Sequence, residues 1–590
     1  MGFLQPTMPQ VDPETWHEKP RLEKVRTLAP FWVDHGFGTQ RVVHVAYAVK
    51  CLGYLAVGVL LAWLTTPGLG GLGEIGRWWS EPIFFQKAVV ATLLFEILGL
   101  GCGSGPLTLR INPPIGGPLY WLRPGTVRLP PWPSKVPFTA GSTRTIVDVL
   151  LYAAVLAACG WILLAPGTGP VSTPLLSTDV GVIDPARLVP LAVLLPLIGL
   201  RDQTIFLAAR PEHYFLAVLL FFLPAVQLLA AAQLGMLLLW WGAATSKLNR
   251  HFPFVVSIMI SNAPLHRSAA LKRRFYRRFP DDLRPSRLST LLAGAGTATE
   301  FVVPLVLVTA TNRTVLAVAV TVMALFHLHI LSTFPMGVPL EWNIFMIFSV
   351  LLLFGVHGEI GPAQLQSPWA IALLAGAAAI VVLGNVFPDR FSFLLSMRYY
   401  AGNWATSYWC FREGAVEPFD RDIKKVAPAV RTQLATLYSE AEAGLVLDVG
   451  QAWRSMHHHG RALNALLPRA VDDLANYDVQ EGETVAGVVL GWNFGEGHLH
   501  DEQLLAAVQE RCGFAERELR VVMLESQPIH RQSQRYRIVD AATGLVESGS
   551  VAVADMVRSQ PWLDDAGIPV HVDAPAADTS VAPATRLETP

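Results

Sequence analysis

Long apolar runs are the feature that most constrains the fold of this chain. A helix that crosses a lipid bilayer needs about 20 mostly apolar residues, because each residue rises about 1.5 Å through a hydrocarbon core about 30 Å thick. Such runs follow one another through the first two thirds of the 590 residues, separated by short polar segments. This pattern predicts an all-α polytopic membrane domain.

About ten transmembrane helices are expected from these runs. They are placed at residues 42–64, 82–102, 146–165, 188–208, 213–226, 227–246, 290–311, 315–333, 342–357 and 369–387. The fifth run is short and contains Pro224, so the fifth and sixth runs are either two helices or one broken helix. The membrane domain as a whole is expected over residues 42–398, after an N-terminal segment of residues 1–41.

Composition agrees with a membrane protein and excludes several other classes. Charged residues make up 15% of the chain, against about 25% in an average soluble protein, and apolar residues make up 52%. The mean hydropathy is +0.39. A single soluble domain, a disordered chain and a secreted disulfide scaffold are therefore excluded.

Beyond about residue 400 the charged residues become denser and the periodicity changes. The pattern predicts helices at 421–442 and 501–512, and strands at 484–493, 519–527, 534–540 and 545–553. These elements indicate a soluble α/β or α+β domain over residues 399–564. The Pro- and Ala-rich residues 565–590 are expected to be a disordered tail.

Lysine and arginine in the short polar segments indicate the orientation of the chain in the membrane. They collect in residues 19–41, in 110–144 and most densely in 267–287, whereas the 166–186 connection has none. Cytoplasmic loops carry such an excess, so both termini are expected in the cytoplasm of a cell-membrane protein. The basic run at 267–287 lies between spans, which favours contact with anionic membrane lipids. No nucleic-acid partner is expected.

Among the ionisable residues within or at the ends of the apolar runs, where each charge is costly, five stand out. Lys50 and Glu96 are expected at similar depth on adjacent helices, either as a structural ion pair or as substrate-binding groups. Lys247, Glu300 and His327 all fall in the cytoplasmic half of the membrane by residue counting. A solvated cavity lined by Glu300 and His327 would explain them, and for Lys247 the alternative is that its side chain extends to the membrane surface.

Several histidines lie close together in the sequence and are candidates for metal sites. His327 and His329 are two positions apart on a helix, so their side chains point in different directions and cannot bind one ion. The same holds for the histidines at 457–459 if that segment is helical. Residues Gly497–Glu502 are expected in a loop between a strand and a helix. Their histidines either bind a metal ion or are polar residues at the surface, with Asp501 as a helix cap. No metal ligand is assigned, and the cofactor is left unknown.

Two resemblances add to this interpretation. WWGAATSKLNRHF, TEFVVPLVL and FHLHILSTFPMG resemble segments of the vitamin K-dependent gamma-carboxylase superfamily, whose bacterial members are horizontally transferred transmembrane domain proteins. That resemblance implies Lys247 as a catalytic base, Glu300 and His327 as its polar partners, and a quinone or isoprenoid as substrate. LRPGTVRLPPWPSKVPFT, SKLNRHFP and MRYYAGNWATS are similar to an uncharacterised family of actinobacterial polytopic membrane proteins.

Three functions remain open from the sequence. The first is a membrane-embedded enzyme acting on a quinone-like or other lipid substrate. The second is a transporter of a lipid or small molecule, with the same buried charges along its pathway. The third is a membrane scaffold whose cytoplasmic domain recruits protein partners, for which no binding motif is identified.

Overall fold

The computed structural model describes residues 3–101, 117–333, 340–436, 438–492, 497–563 and 567–573. Helices dominate the chain up to residue 386, and a six-stranded sheet with helices on both faces follows from residue 406.

The helices of the first part, in chain order, are α1 (Pro13–Trp16), α2 (Arg21–His35), α3 (Arg41–Thr65), α4 (Ile75–Trp78), α5 (Pro82–Ile97), α6 (Pro118–Trp121), α7 (Ile146–Leu163), α8 (Pro185–Arg201), α9 (Gln203–Ala208), α10 (Leu216–Leu220), α11 (Ala225–Ser246), α12 (Phe252–Asn262), α13 (Ala269–Arg273), α14 (Arg287–Thr309), α15 (Arg313–Thr333), α16 (Leu340–Val350) and α17 (Pro368–Val386). A π-helical turn, Pro211–Phe215, precedes α10, and a second one, Leu351–Val356, continues α16. Two short antiparallel hairpins also occur, formed by β1 (Val171–Ser172) with β2 (Ser177–Thr178) and by β3 (Tyr276–Arg278) with β4 (Asp282–Pro285).

Six of the described helices are long and apolar enough to cross a membrane, namely α3, α7, α11, α14, α15 and α17. The expected number of about ten is therefore not supported. The other four expected spans correspond to shorter helices, which are α5, α8, α10 with its preceding π-helical turn, and α16. The fifth and sixth runs are separate helices, because the chain turns after α10 and α11 begins directly after Pro224.

Local sequence explains why some apolar runs give short helices. The second run is helical only to Ile97, and Gly99 then adopts a positive φ of 74°, a conformation that favours glycine and ends helices. The helix α8 ends before Asp202, whose side chain accepts a hydrogen bond from the backbone of Thr204 and so starts α9.

The second part is built on an antiparallel sheet. Its strands are β5 (Thr406–Arg412), β6 (Tyr477–Glu481), β7 (Leu519–Leu524), β8 (Ser533–Asp540), β9 (Gly544–Ala552) and β10 (Val570–Val572), in the order β10-β9-β8-β7-β5-β6. Its helices are α18 (Val416–Asp422), α19 (Val430–Leu434), α20 (Glu440–Met456), α21 (His458–Ala470), α22 (Gly482–Leu490), α23 (Glu502–Cys512) and α24 (Val553–Arg558).

The side chains of the central strand β5 point alternately to the two faces of the sheet. Each face packs into a different hydrophobic core. Tyr408 and Cys410 pack with residues of α21, whereas Trp409 and Phe411 belong to a hydrophobic cluster that continues into the membrane helices. A strand with both faces covered is buried along its length. The sheet region is thus packed directly on the membrane part.

The C-terminal expectations were correct in part. The predicted elements at 501–512, 519–527, 534–540 and 545–553 correspond to α23, β7, β8 and β9. The predicted strand at 484–493 is wrong, because these residues belong largely to the buried helix α22. A short run rich in valine is ambiguous between a strand and a buried helix.

The predicted helix at 421–442 is also wrong as a single element. The chain instead forms α18, α19 and the start of α20, and the connection between the first two contains Pro428, which lacks a backbone N–H. Residues 570–572 pair with β9 as an edge strand, so the predicted disorder does not extend to them. Residues 574–590 of the predicted tail lie outside the described residues.

The N-terminal helices lie against the C-terminal part of the chain. The helix α2 packs along α20, and the indole N–H of Trp16 donates a hydrogen bond to Asp448 at 2.7 Å. Lys24 also lies 3.4 Å from the carboxylate of Asp448. These contacts hold the N-terminal helices against the C-terminal part of the chain.

Candidate functional site

A cavity of about 520 Å³ lies where the membrane helices meet the C-terminal part. Its walls come from α11, α12, α14, α15 and α16 on one side and from α19, α20 and β6 on the other. Lys247, Glu300 and His327 all line this cavity. The structure therefore brings together the three residues for which the sequence predicts catalytic roles.

Lys247 and Glu300 form a buried ion pair in the wall of the cavity. Lys247 is the first residue after α11, and Glu300 lies in the middle of α14, which packs against α11. The ammonium group of Lys247 donates a hydrogen bond to the Glu300 carboxylate, and the two side chains are 5% and 4% exposed. The ring of Phe252 lies 5.0 Å from the same ammonium group. The pair thus places an ammonium group and a carboxylate side by side in the wall of the cavity.

His327 is held by two hydrogen bonds. The indole N–H of Trp240 donates to Nε2 at 3.0 Å, and Nδ1 lies 2.9 Å from the side-chain oxygen of Asn343. Because an indole N–H can only donate, Nε2 is the unprotonated nitrogen, and Nδ1 carries the proton that it donates to Asn343. The neutral ring is therefore fixed in one tautomer and orientation.

The cavity has an apolar end and a polar end. Leu292 and Ala295 on the exposed side of α14 line the apolar end, so it reaches the outer surface of the membrane helices. At the polar end, the guanidinium group of Arg431 lies 3.2 Å from Asp478. Such a cavity suits an amphiphilic molecule whose apolar part remains among the membrane helices.

A carboxylate pair shares one buried arginine beside the polar end. The guanidinium group of Arg454, which is fully buried, contacts Glu481 and lies 3.2 Å from Glu483. Burial, together with the neighbouring Glu483, raises the pKa of Glu481 to about 7, although Arg454 opposes this effect. Burial therefore favours the neutral form of Glu481 more than that of an exposed glutamate.

Lys50 and Glu96 do not line this cavity. Lys50 lies 3.9 Å from Glu341 and donates to the carbonyl of Gly101 at 3.2 Å, while Glu96 lies 3.7 Å from Arg210. The direct ion pair considered between Lys50 and Glu96 is thus replaced by pairs with other residues. Their predicted contact with a substrate stays a prediction.

Lys50 and Glu96 lie in a second group of charged residues, outside the cavity. Sequence reasoning missed three other members of this group, which are Arg210, Glu212 and Glu341. All three are 5% exposed or less. Arg210 and Glu212 occupy a segment that the apolar runs predict to be a connection between spans, and Glu341 lies next to the start of an expected span. A charged residue within a few positions of an apolar run is the signal that would have found them.

The histidine motifs contact protein groups. His498 lies 3.3 Å from Glu525, His500 Nδ1 lies 2.7 Å from the hydroxyl of Ser407, and Asp501 caps α23. His457–His459 are buried at the start of α21. Among the described residues no group of three histidine, cysteine or acidic side chains has a geometry that holds a metal ion.

Comparisons with known proteins identify a family. No curated protein and no solved structure matches the chain. A family model described as a transmembrane protein of unknown function (DUF3556) matches residues 1–573. Because this match covers nearly the whole chain, and because the structure contains several apolar helices of membrane-spanning length, the protein belongs to this family of transmembrane proteins of unknown function.

Proposed function

We propose that this protein is a membrane-embedded enzyme that binds an amphiphilic, lipid-soluble molecule in the cavity, with Lys247 as the catalytic base. The observation that carries the proposal is the buried Lys247–Glu300 ion pair in the wall of a cavity that joins membrane helices to a polar, sheet-containing region. A volume of about 520 Å³ lies within the range of small-molecule sites, which is about 300–1,000 Å³.

The ion pair supports a proton-transfer role. An ammonium group becomes a base only after it loses a proton, and the Glu300 carboxylate is positioned to accept that proton. Both side chains are almost completely buried, so in this scheme the proton passes within the pair rather than to bulk water. The free amine then takes a proton from an acidic hydroxyl or carbon of the bound molecule. His327 is a positioning residue in this scheme, because both of its nitrogens are engaged.

The substrate class that we propose is a quinone or an isoprenoid. The apolar end of the cavity matches a long hydrocarbon tail, and the head group would then lie near Lys247 and the polar residues of β6. The sequence resemblance to the gamma-carboxylase superfamily around Lys247, Glu300 and His327 supports the same class. No further cofactor is proposed.

Mass spectrometry of small molecules that co-purify with the full-length protein tests this proposal. We compare the wild type with Lys247→Met and with a matched control, Lys87→Met. Lys87 is also a buried lysine, but it binds Thr65 and lies outside the cavity. We expect a stoichiometric quinone or isoprenoid in the wild type and the control, and its loss in Lys247→Met. Bulk phospholipid alone in all three folded proteins would contradict the proposal.

The proposed location is the cell membrane, with both termini in the cytoplasm. The contacts of α2 with α20 support a common side for the two ends, and the basic segments support the cytoplasmic side. On this basis we propose the division into an N-terminal segment (1–41), a membrane domain (42–398) and a cytoplasmic domain (399–564). Fluorescent proteins fused to either terminus are expected to fluoresce, and a protease site inserted at 166–186 is expected to be cleaved from outside. Cleavage from the cytoplasmic side would reverse the orientation.

A further inference from the structure

The segment between α12 and α14 combines dense positive charge with a position at the membrane surface. It folds as α13 and the hairpin of β3 and β4, and residues 267–287 contain eight lysines and arginines but two acidic residues. The helix α14, which begins at Arg287, is long and apolar enough to cross a membrane. The charges just before it therefore lie beside the lipid head groups.

Half of these eight cations have partners within the protein. Lys272 is buried and donates to two backbone carbonyl groups. Three others form ion pairs, which are Arg273 with Asp34, Arg278 with Asp281 and Arg284 with Asp282. The remaining four are exposed and pair with no acidic side chain in the part of the chain that the structure describes; they are Arg267, Arg274, Arg277 and Arg287. The fold therefore selects a few arginines from the basic run for a partner outside the chain.

Three of these arginines meet at the start of α14. The backbone carbonyl of Arg274 accepts a hydrogen bond from the hydroxyl group of Ser286 at 2.7 Å. The guanidinium group of Arg277 donates to the backbone carbonyl of Pro285 at 3.4 Å, and Arg287 is the first residue of the helix. Three positive charges thus lie around the point where a helix of membrane-spanning length begins.

An apolar strip continues from these arginines along α14. Its first members, Leu288, Leu291 and Leu292, are 36%, 70% and 44% exposed, and Ala295 on the next turn is exposed as well. Both Leu292 and Ala295 also line the cavity. A rise of 1.5 Å per residue places Ala295 about 12 Å along the helix from Arg287. The apolar strip therefore leads from the positively charged surface to the mouth of the cavity.

We infer that this surface binds an anionic phospholipid, with its phosphate held by Arg274, Arg277 and Arg287 and an acyl chain along the apolar strip. Guanidinium groups bind phosphate oxygens through paired, charge-assisted hydrogen bonds. Each basic residue near a bilayer surface strengthens the attraction to anionic lipids about fivefold, whereas a zwitterionic lipid has no net charge to attract. The bound lipid adjoins the mouth of the cavity, but its binding does not depend on the role proposed for Lys247.

Photocrosslinking of the full-length protein in lipid nanodiscs tests the inference. The probes are phosphatidylglycerol, which is anionic, and phosphatidylcholine, which is zwitterionic, each with a diazirine in its acyl chain. Either probe is a minor component of the same phosphatidylcholine bilayer, and mass spectrometry maps the labelled peptides. We expect phosphatidylglycerol to label residues 288–295 several-fold more than phosphatidylcholine does. Equal labelling of these residues by the two probes would overturn the inference.

Two neighbouring arginines distinguish a defined site from general attraction to a basic segment. Arg277→Gln is expected to reduce labelling by phosphatidylglycerol about fivefold, and Arg277→Lys to retain most of it because the charge is kept. The matched control is Arg278→Gln, which removes one charge from the same strand, but from an arginine paired with Asp281. Equal losses in Arg277→Gln and Arg278→Gln would overturn the inference. Lys247→Met is expected to label as the wild type does, so a failure of the proposed function leaves this result unchanged.

Discussion

The ammonium group of Lys247 and the carboxylate of Glu300 face each other across the contact between α11 and α14, although 53 positions separate them in the chain. Both side chains are almost completely buried. Breaking a buried pair by removing one partner costs about 3–5 kcal/mol, because the other charge remains without compensation. The pair consequently has a measurable structural role as well as the chemical role proposed above.

The first prediction concerns the stability of this pair. Lys247→Met is expected to lower the free energy of unfolding by about 3–5 kcal/mol, and adding Glu300→Leu to that variant is expected to recover most of the loss. Chemical unfolding in detergent measures both. The exposed pair of Arg313 and Glu359 is the control, where Arg313→Met is expected to have little effect. A double variant as unstable as the single one would show that the charges do not compensate each other.

The second prediction concerns the tautomer of His327. Its Nε2 accepts the hydrogen bond from Trp240 and its Nδ1 donates to Asn343, so nitrogen NMR of labelled protein is expected to show a neutral ring protonated at Nδ1. Trp240→Phe removes the donor that fixes Nε2, and a mixture of tautomers is then expected. A ring protonated at Nε2 in the wild type would contradict the assignment.

The third prediction concerns pH and the histidines at the start of α21. Burial, with nearby positive charges adding to it, holds the pKa of His457, His458 and His459 well below the ordinary 6.5. The unfolded chain therefore binds protons below about pH 6.5 that the folded chain does not, and the free energy of unfolding falls as the pH decreases. Each histidine contributes about 1.4 kcal/mol per pH unit in that range.

A variant comparison isolates this effect. Glu481 and Asp501 have pKa values raised to about 7, chiefly by burial, so the folded state gains stability from them as the pH falls towards their ordinary values. His458→Gln is expected to flatten the pH dependence of unfolding below pH 6.5 relative to the wild type. His530→Gln, at an exposed position, is expected to leave it unchanged. Equal slopes in all three proteins would contradict burial of a neutral His458.

The fourth prediction concerns the apolar end of the cavity. Ala295 lies on the exposed side of α14 and lines the cavity, so Ala295→Trp is expected to reduce the co-purifying lipid-soluble molecule several-fold by occupying its path. Ala298 is also exposed on α14 but does not line the cavity, which makes Ala298→Trp the matched control. Equal amounts of bound molecule in the two variants would place the entrance elsewhere.

Much of the candidate site was predictable from the chain. Lys247, Glu300 and His327 stood out because ionisable groups in apolar segments need a partner or a cavity, and the structure puts them around one cavity. Arg431 and Glu481 were not predictable as members of the same cavity. They come from the C-terminal part, and nothing local to those residues indicates which membrane helices they face.

Helix lengths and charge partners were the least predictable features. An apolar run indicates that its residues avoid water, but it does not indicate whether they face lipid or other helices. The runs therefore did not predict that α5 and α16 are shorter than the expected spans. Residue counting placed Lys50 and Glu96 at similar depth, yet Lys50 is paired with Glu341 and Glu96 with Arg210. Depth along a helix follows from the sequence, whereas rotation about its axis depends on packing.

The amino-acid sequence by itself determined that this is a helical membrane protein with a sheet-containing C-terminal part, because apolar run length and strand alternation are local properties of the chain. Only the tertiary structure decided how that part packs on the membrane helices, which residues share the cavity, and which buried charges pair with one another. Those relationships arise from contacts between segments distant in sequence, and the free energy of such contacts depends on the geometry of all the packed helices together.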